Sequence, residues 1–245
     1  MFNKVKKDIS DWIDVTARNY VRRQGFVISK PAPDSDYNPG FIHILSKYFL
    51  EMNDFFFVQI GGNDGVSFDD LYGFVTNYPS RGVILEPVED YFEDLKHNYR
   101  EYPNITPVNA GLHPSLKEAT IYRVDPAFEE SLAGWTKGIA SLDPNHHKKS
   151  RTSSDVMIEE RVRCISWDEL ISEYGIAKID LLQIDTEGFD FEVLKMVDWA
   201  KFRPKIIRYE HESLSDEDRK AAWEMIQNLG YKLWRTNQDT VAVMS

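Results

Sequence analysis

Residues 55–65 read Phe-Phe-Phe-Val-Gln-Ile-Gly-Gly-Asn-Asp-Gly, and this stretch narrows the fold more than any other. Its first six residues, five of them apolar and rich in aromatic and β-branched side chains, predict a strand buried on both faces. The strand runs straight into a glycine turn. Beyond it Phe68, Leu71, Tyr72 and Val75 recur at helical spacing, so a helix is expected over residues 67–78. Strand, glycine turn and helix in that order form the corner where an open α/β sheet holds a nucleotide-like ligand. Gly61 and Gly65 let the backbone bend and approach a ligand where a Cβ would collide.

The chain has 245 residues, enough for one large α/β domain with additions at its ends. A domain of that size buries roughly 70–75% of its unfolded surface and needs no staples. The formal net charge of −11 argues against a nucleic-acid phosphate backbone as partner. Cys164 is the single cysteine, which excludes an internal disulfide and points to a reducing compartment. Residues 1–12 are charged throughout, so no signal peptide is read there. No apolar window of about 18 residues exists either, and a soluble cytoplasmic protein is expected.

Two regions are expected. Residues 1–40 form a helical extension over 5–24 and a linker over 31–40 with three prolines, and the extension is a candidate surface for homo-oligomer assembly. Residues 41–245 form the main domain, opening with a helix over 41–51. Strands and helices then alternate, which implies right-handed crossovers and a mostly parallel sheet. Strands are read at 55–60, 82–86, 105–110, 160–165, 179–185 and 205–210, with an extra strand at 120–124. The spacing predicts helices over 89–99, after the capping box that starts at Ser166, through Val193, Leu194 and Val197 after the strand at 179–185, and from the cap at Ser215. Residues 231–235 and 240–244 read as a terminal hairpin. The long polar stretch 125–159 breaks the alternation and reads as a lid. Its basic run His146, His147, Lys148, Lys149 and Arg151 is either a solvated loop or a cover for an anionic substrate.

Candidate site residues follow from strand ends. Glu86 lies 21 residues after Gly65, the place of an acid that accepts hydrogen bonds from ribose hydroxyls. The turn Gly61-Gly62-Asn63-Asp64-Gly65 lacks the spacing of a dinucleotide fingerprint. Asp64 would repel a pyrophosphate, so a cationic or uncharged ligand such as S-adenosylmethionine fits better, although Asp64 reads equally well as a helix cap. Asn109 and Ala110, at the end of the third strand, are candidates to face an adenine. Asp185, Glu187 and Glu210 are further strand-end acids, able to contact the cofactor, serve as a base or hold a divalent metal. His211 is the expected general base, with a core-satisfied histidine as the bland alternative.

With these pieces in place the chain resembles the FkbM family of S-adenosylmethionine-dependent methyltransferases. The matching elements are Val-Gln-Ile-Gly-Gly-Asn-Asp-Gly at 58–65, Ile-Leu-Glu-Pro at 84–87, and Ile-Asp-Leu-Leu-Gln-Ile-Asp-Thr-Glu-Gly-Phe-Asp at 179–190. Glu-Val-Leu at 192–194 and Glu210 also fit. The Asp-x-Glu-Gly element at 185–188 is the most specific. The resemblance implies a Rossmann-like class I methyltransferase fold, a seven-stranded mostly parallel sheet with an antiparallel terminal hairpin strand and helices on both faces. It also implies O-methylation of a hydroxyl on a sugar, glycan or polyketide-type small molecule. Gln59 departs from the family where many such enzymes carry an acid, and Gly62 where alanine is common, which shifts cofactor recognition toward Asp64 and Glu86. Two other readings stand beside this one: a nicotinamide-dependent oxidoreductase on a nucleotide sugar, and a non-catalytic cofactor-binding module.

Overall fold

The computed structural model describes residues 40–49, 52, 54–67, 69–129, 132, 136, 138–149, 152–236 and 238–244. The expected helix over 5–24 and all of the linker but Gly40 lie outside them, as does Arg151. The described chain opens with helix α1 (Phe41–Phe49), strand β1 (Phe56–Ile60) and the single turn α2 (Tyr72–Val75), then β2 (Arg81–Leu85), α3 (Glu89–Asn98) and β3 (Ile105–Val108). A second group follows: β4 (Gly111–Leu112), β5 (Glu118–Val124), α4 (Pro126–Glu129), β6 (Ala140–Ser141), α5 (His146–Lys149) and β7 (Met157–Ile165). The main alternation resumes with α6 (Trp167–Glu173), β8 (Leu181–Ile184), α7 (Asp190–Met196), β9 (Ile206–Glu210), α8 (Asp216–Asn228), β10 (Tyr231–Arg235) and β11 (Asp239–Met244).

Seven strands form one sheet in the order β10-β11-β9-β8-β1-β2-β3. Its pairs are parallel except those of β11, which runs antiparallel to both β9 and β10. Side-chain alternation sends β1 to two cores at once. Val58 and Ile60 join Leu182, Ile207, Leu170, Val193 and Ala222 under α6, α7 and α8. Phe57 joins Leu181, Ile206, Val241, Leu45, Phe74 and Leu95 under α1, α2 and α3. This is the expected doubly covered sheet.

Two expectations need correction. The helix predicted over 67–78 contracts to Tyr72–Val75, because aspartates hold the preceding backbone in turns: Val66 and Ser67 N–H donate to Asp64 Oδ1, and Leu71 N–H donates to Asp69 Oδ1. The strand read at 160–165 begins earlier, at Met157, and stays out of the main sheet. It pairs antiparallel with β5 and forms a small sheet of order β4-β7-β5-β6. The long polar stretch is therefore partly ordered into β6, α5 and the start of β7. No helix among the described residues is long and apolar enough to cross a membrane.

Candidate active site

Because the parallel strands all point one way, the connections after β1, β2, β3, β8 and β9 meet at one edge. There they surround a cleft of about 420 Å³. The glycine turn forms its floor. Gly61 has φ +83°, and a Cβ there would lie 1.8 Å from the Asp185 carbonyl oxygen of the neighbouring strand connection. Asn63 adopts a left-handed φ of 47°, a conformation asparagine tolerates.

Glu86 folds back onto this turn. Its Oε2 accepts from Asn63 N–H at 2.7 Å and its Oε1 from Val88 N–H at 2.9 Å. Burial pushes its carboxyl up to about 7, against the lowering effect of those backbone donors. A carboxylate has room for further donors beyond these two, so a vicinal diol on the cleft side is a suitable partner.

The walls differ in character along the edge. Toward β3 they are apolar: Ala110 and Leu112, with Ile121, Ile139, Leu142 and Val162 from the small sheet and its connections. Toward β8 and β9 they are acidic. Asp185 is raised well above the usual carboxylate range by burial and by Glu187 and Asp190 nearby. Glu210 is pushed up to about 10, first by burial and then by Glu187 and Asp185, so it keeps its proton at neutral pH. Its Oε1 accepts from Ser213 Oγ at 2.9 Å, while Oε2 is buried with no hydrogen-bond partner.

Glu187 itself sits at φ 52°, a left-handed conformation that costs on the order of 1–3 kcal/mol in a non-glycine residue. Contacts from the long insertion hold it there. Ser141 Oγ donates to the Glu187 carbonyl at 2.7 Å, and His146 Nε2 lies 2.9 Å from Glu187 Oε2. Lys149 Nζ donates to the Ser213 carbonyl at 2.7 Å, tying α5 to the far rim. Residues 138–149 thus roof the acidic end.

Of the residues expected at the site, Gly61, Gly62, Asn63, Glu86, Ala110, Asp185, Glu187 and Glu210 line this one cleft. Asp64, Gly65, Asn109 and His211 do not. Asp64 caps the turn instead, taking Val66 N–H, Ser67 N–H and Ser67 Oγ. Gly65 is needed for packing: a Cβ would lie 2.5 Å from Leu95 and 2.6 Å from Tyr99. His211 is turned into the sheet, its Nδ1 3.2 Å from Thr240 Oγ1. Burial and the charges of Arg235 and Arg219 lower its pKa. The structure also brings in residues the sequence reading passed over: Asp69, Gln183, Arg208 and Asp239 line the same cleft. One signal was available, since Val-Gln-Ile-Gly at 58–61 is echoed by Leu-Gln-Ile-Asp at 182–185. Among the described residues no group of three or more His, Cys, Asp or Glu side chains is placed to hold a metal ion. The possible divalent site at Asp185, Glu187 and Glu210 therefore finds no geometric support.

A family model described as the methyltransferase FkbM domain matches residues 59–233. The chain belongs to the FkbM methyltransferase family. It is accordingly read as an S-adenosylmethionine-dependent methyltransferase, and the nicotinamide alternative falls away. Similar solved structures include a methyltransferase FkbM from Methylobacillus flagellatus, 14% identical over 78% of this chain and 43% of that one, with a TM-score of 0.46. The N-terminal domain of human METTL16 in complex with SAH is 10% identical over 94% and 81%, with a TM-score of 0.46. A fibrillarin/Nop5p complex gives 14% identity over 81% and 78%, with a TM-score of 0.42. No curated protein sequence matches the chain.

Proposed function

We propose that this FkbM enzyme transfers a methyl group from S-adenosylmethionine to a hydroxyl oxygen of a small molecule or glycan, with both substrates meeting in the cleft described above. The observation that carries this reading is the placement of a diol-accepting carboxylate, Glu86, and an acidic pocket around Glu187 on opposite sides of one glycine turn. Glu86 would take the two ribose hydroxyls, Gly61, Gly62 and Asn63 would pass beneath the donor, and Ala110, Leu112 and Ile121 would enclose its purine. The bound donor supplies an electrophilic methyl carbon that passes to an oxygen nucleophile as its carbon–sulfur bond breaks.

The chain's own contribution is then positioning and proton transfer. Glu187, partnered by His146, would accept the proton of the acceptor hydroxyl. Glu210, protonated and with an unpartnered Oε2, would donate a hydrogen bond to a second oxygen of the same acceptor. Two hydrogen-bonding carboxyl groups side by side suit a polyol such as a sugar ring. The net charge of −11 supports a neutral acceptor over a nucleic acid.

Calorimetric titration tests the reading. S-adenosylhomocysteine should bind, and Glu86→Ala should weaken it at least tenfold through loss of charge-assisted hydrogen bonds to the sugar. Wild-type protein that takes up reduced pyridine nucleotide and not S-adenosylhomocysteine would end it. Tight binding without turnover on any hydroxylated acceptor would favour a binding module instead.

A further inference from the structure

Strand β6 stands between the two ends of the cleft, and side-chain alternation gives each end one of its faces. Ala140 and Leu142 pack against the buried cluster of Val88, Ile121 and Val162, and both line the cleft on its apolar side. Ser141 points the other way. It is 2% exposed, and its Oγ donates to the Glu187 carbonyl at 2.7 Å while accepting from Asp143 N–H at 3.1 Å. The strand is an edge of the small sheet, held to β5 through two residue pairs, Tyr122 with Ser141 and Arg123 with Ala140.

Glu187 needs such a tether. It and Gly188 both hold left-handed backbone, with φ of 52° and 106°. A glutamate keeps that conformation only where its surroundings over-determine it. The roof supplies the hold at several atoms. His146 Nε2 lies 2.9 Å from Glu187 Oε2, and Gly138 stands so close that a Cβ there would lie 3.8 Å from Oε1. Those two contacts bear on the carboxylate. Ser141 grips the main chain, where φ is set.

A nucleoside seated against Ala140 and Leu142 therefore bears on the same strand that fixes the backbone of Glu187. An edge strand with two pairing residues opens easily, and a ligand packed on one of its faces removes that freedom. We propose that β6 links the two halves of the site: the donor's nucleoside steadies the strand, and Ser141, as a positioning residue, passes that constraint to Glu187. The base is then set for an acceptor hydroxyl once the donor is in place. By reciprocity, an acceptor held at Glu187 tightens the grip on the donor. The inference rests on the donor reading of the preceding subsection.

Hydrogen exchange in the intact chain reads the link. Adenosine is the probe, because it carries the base and sugar without the rest of the donor. In wild type, saturating adenosine should slow amide exchange over residues 138–142. It should also slow residues 186–189 roughly three- to tenfold, as when a local opening must break one more hydrogen bond. Ser141→Ala should bind adenosine within about threefold of wild type and keep the slowing at 138–142, but lose that at 186–189. A residue that served packing alone would not separate the two segments. Retained adenosine binding also reports that the variant is folded, and the wild-type measurement decides if it is not. Slowing at 138–142 with 186–189 unchanged overturns the link, as does no slowing at 138–142 or a variant that keeps both effects. Wild type that binds S-adenosylhomocysteine but not adenosine overturns it too, with the donor reading left standing. Wild type that binds neither compound overturns the donor reading itself, and the link with it.

Discussion

Glu187 and His211 show how far a residue's chemistry depends on where its backbone points it. Both follow sheet strands at the same edge, yet Glu187 opens onto the cleft and His211 is bonded to Thr240. Glu187→Gln is therefore expected to lower kcat by about 100-fold, as for loss of a general base. His211→Ala should change kcat less than threefold and show itself as a lower melting temperature. The opposite ranking in steady-state assays would restore His211 as the base. Glu86 makes a second prediction at this scale. Its carboxyl, raised to about 7, must be ionised to accept two hydroxyl donors. Affinity for S-adenosylhomocysteine should thus rise between pH 6 and pH 8, by roughly five- to tenfold. A flat or falling profile would remove Glu86 from the ribose contact. Glu86 was legible in the sequence because a strand-end acid at fixed distance from a glycine turn is a local pattern. Ser141 was not, because its importance comes from the carbonyl of Glu187, 46 residues away.

At the scale of elements, the glycine turn and the strand ends were readable from periodicity and turn chemistry alone, and so was the terminal hairpin. Antiparallel pairing of β5 with β7 was hidden, because a strand's partner is chosen by long-range packing that no local pattern records. The short α2 was missed because side-chain hydrogen bonds from Asp64 and Asp69 outcompete helix formation over residues whose apolar spacing favours it. The roof over residues 138–149 sharpens the idea of a lid. His147 and Lys148 bond locally, to the Pro144 carbonyl and Asn145 Oδ1, whereas His146 and Lys149 grip Glu187 and Ser213. Lys149→Ala should accordingly raise KM for the acceptor several-fold, with donor affinity unchanged, while Lys148→Ala should alter neither. Equal effects of the two variants on KM would argue against a specific clamp.

At the scale of the whole molecule, buried carboxyls held above their usual range gather at one edge of the sheet. Glu86, Asp190 and Glu210 are raised to about 7, 6 and 10, so between pH 5 and pH 8 these three carboxyls hold more protons in the folded chain than in the unfolded one and outweigh His113 and His211, which burial shifts the other way. Stability must then fall as pH rises across that window, each group contributing on the order of 1–3 kcal/mol. Calorimetry should show a melting temperature roughly 5 °C or more lower at pH 8 than at pH 5, and Glu210→Gln should flatten the slope. A melting temperature that climbs over the same range would mean these carboxyls are not held neutral by the fold. The small β4-β7-β5-β6 sheet adds no strand to the seven-stranded one, yet Leu112, Ile121 and Val162 from it, and Ile139 and Leu142 from its connections, line the cleft. Under the function proposed above, the roof over residues 138–149 touches both ends of the cleft, through Ile139 and Leu142 at the apolar wall and through His146 and Lys149 at Glu187 and Ser213. Transplanting residues 125–156 from another family member should shift the preference for alcohols, and doing so with Ile139 and Leu142 kept in place should spare the nucleoside end, a route by which one scaffold can be re-targeted without being rebuilt.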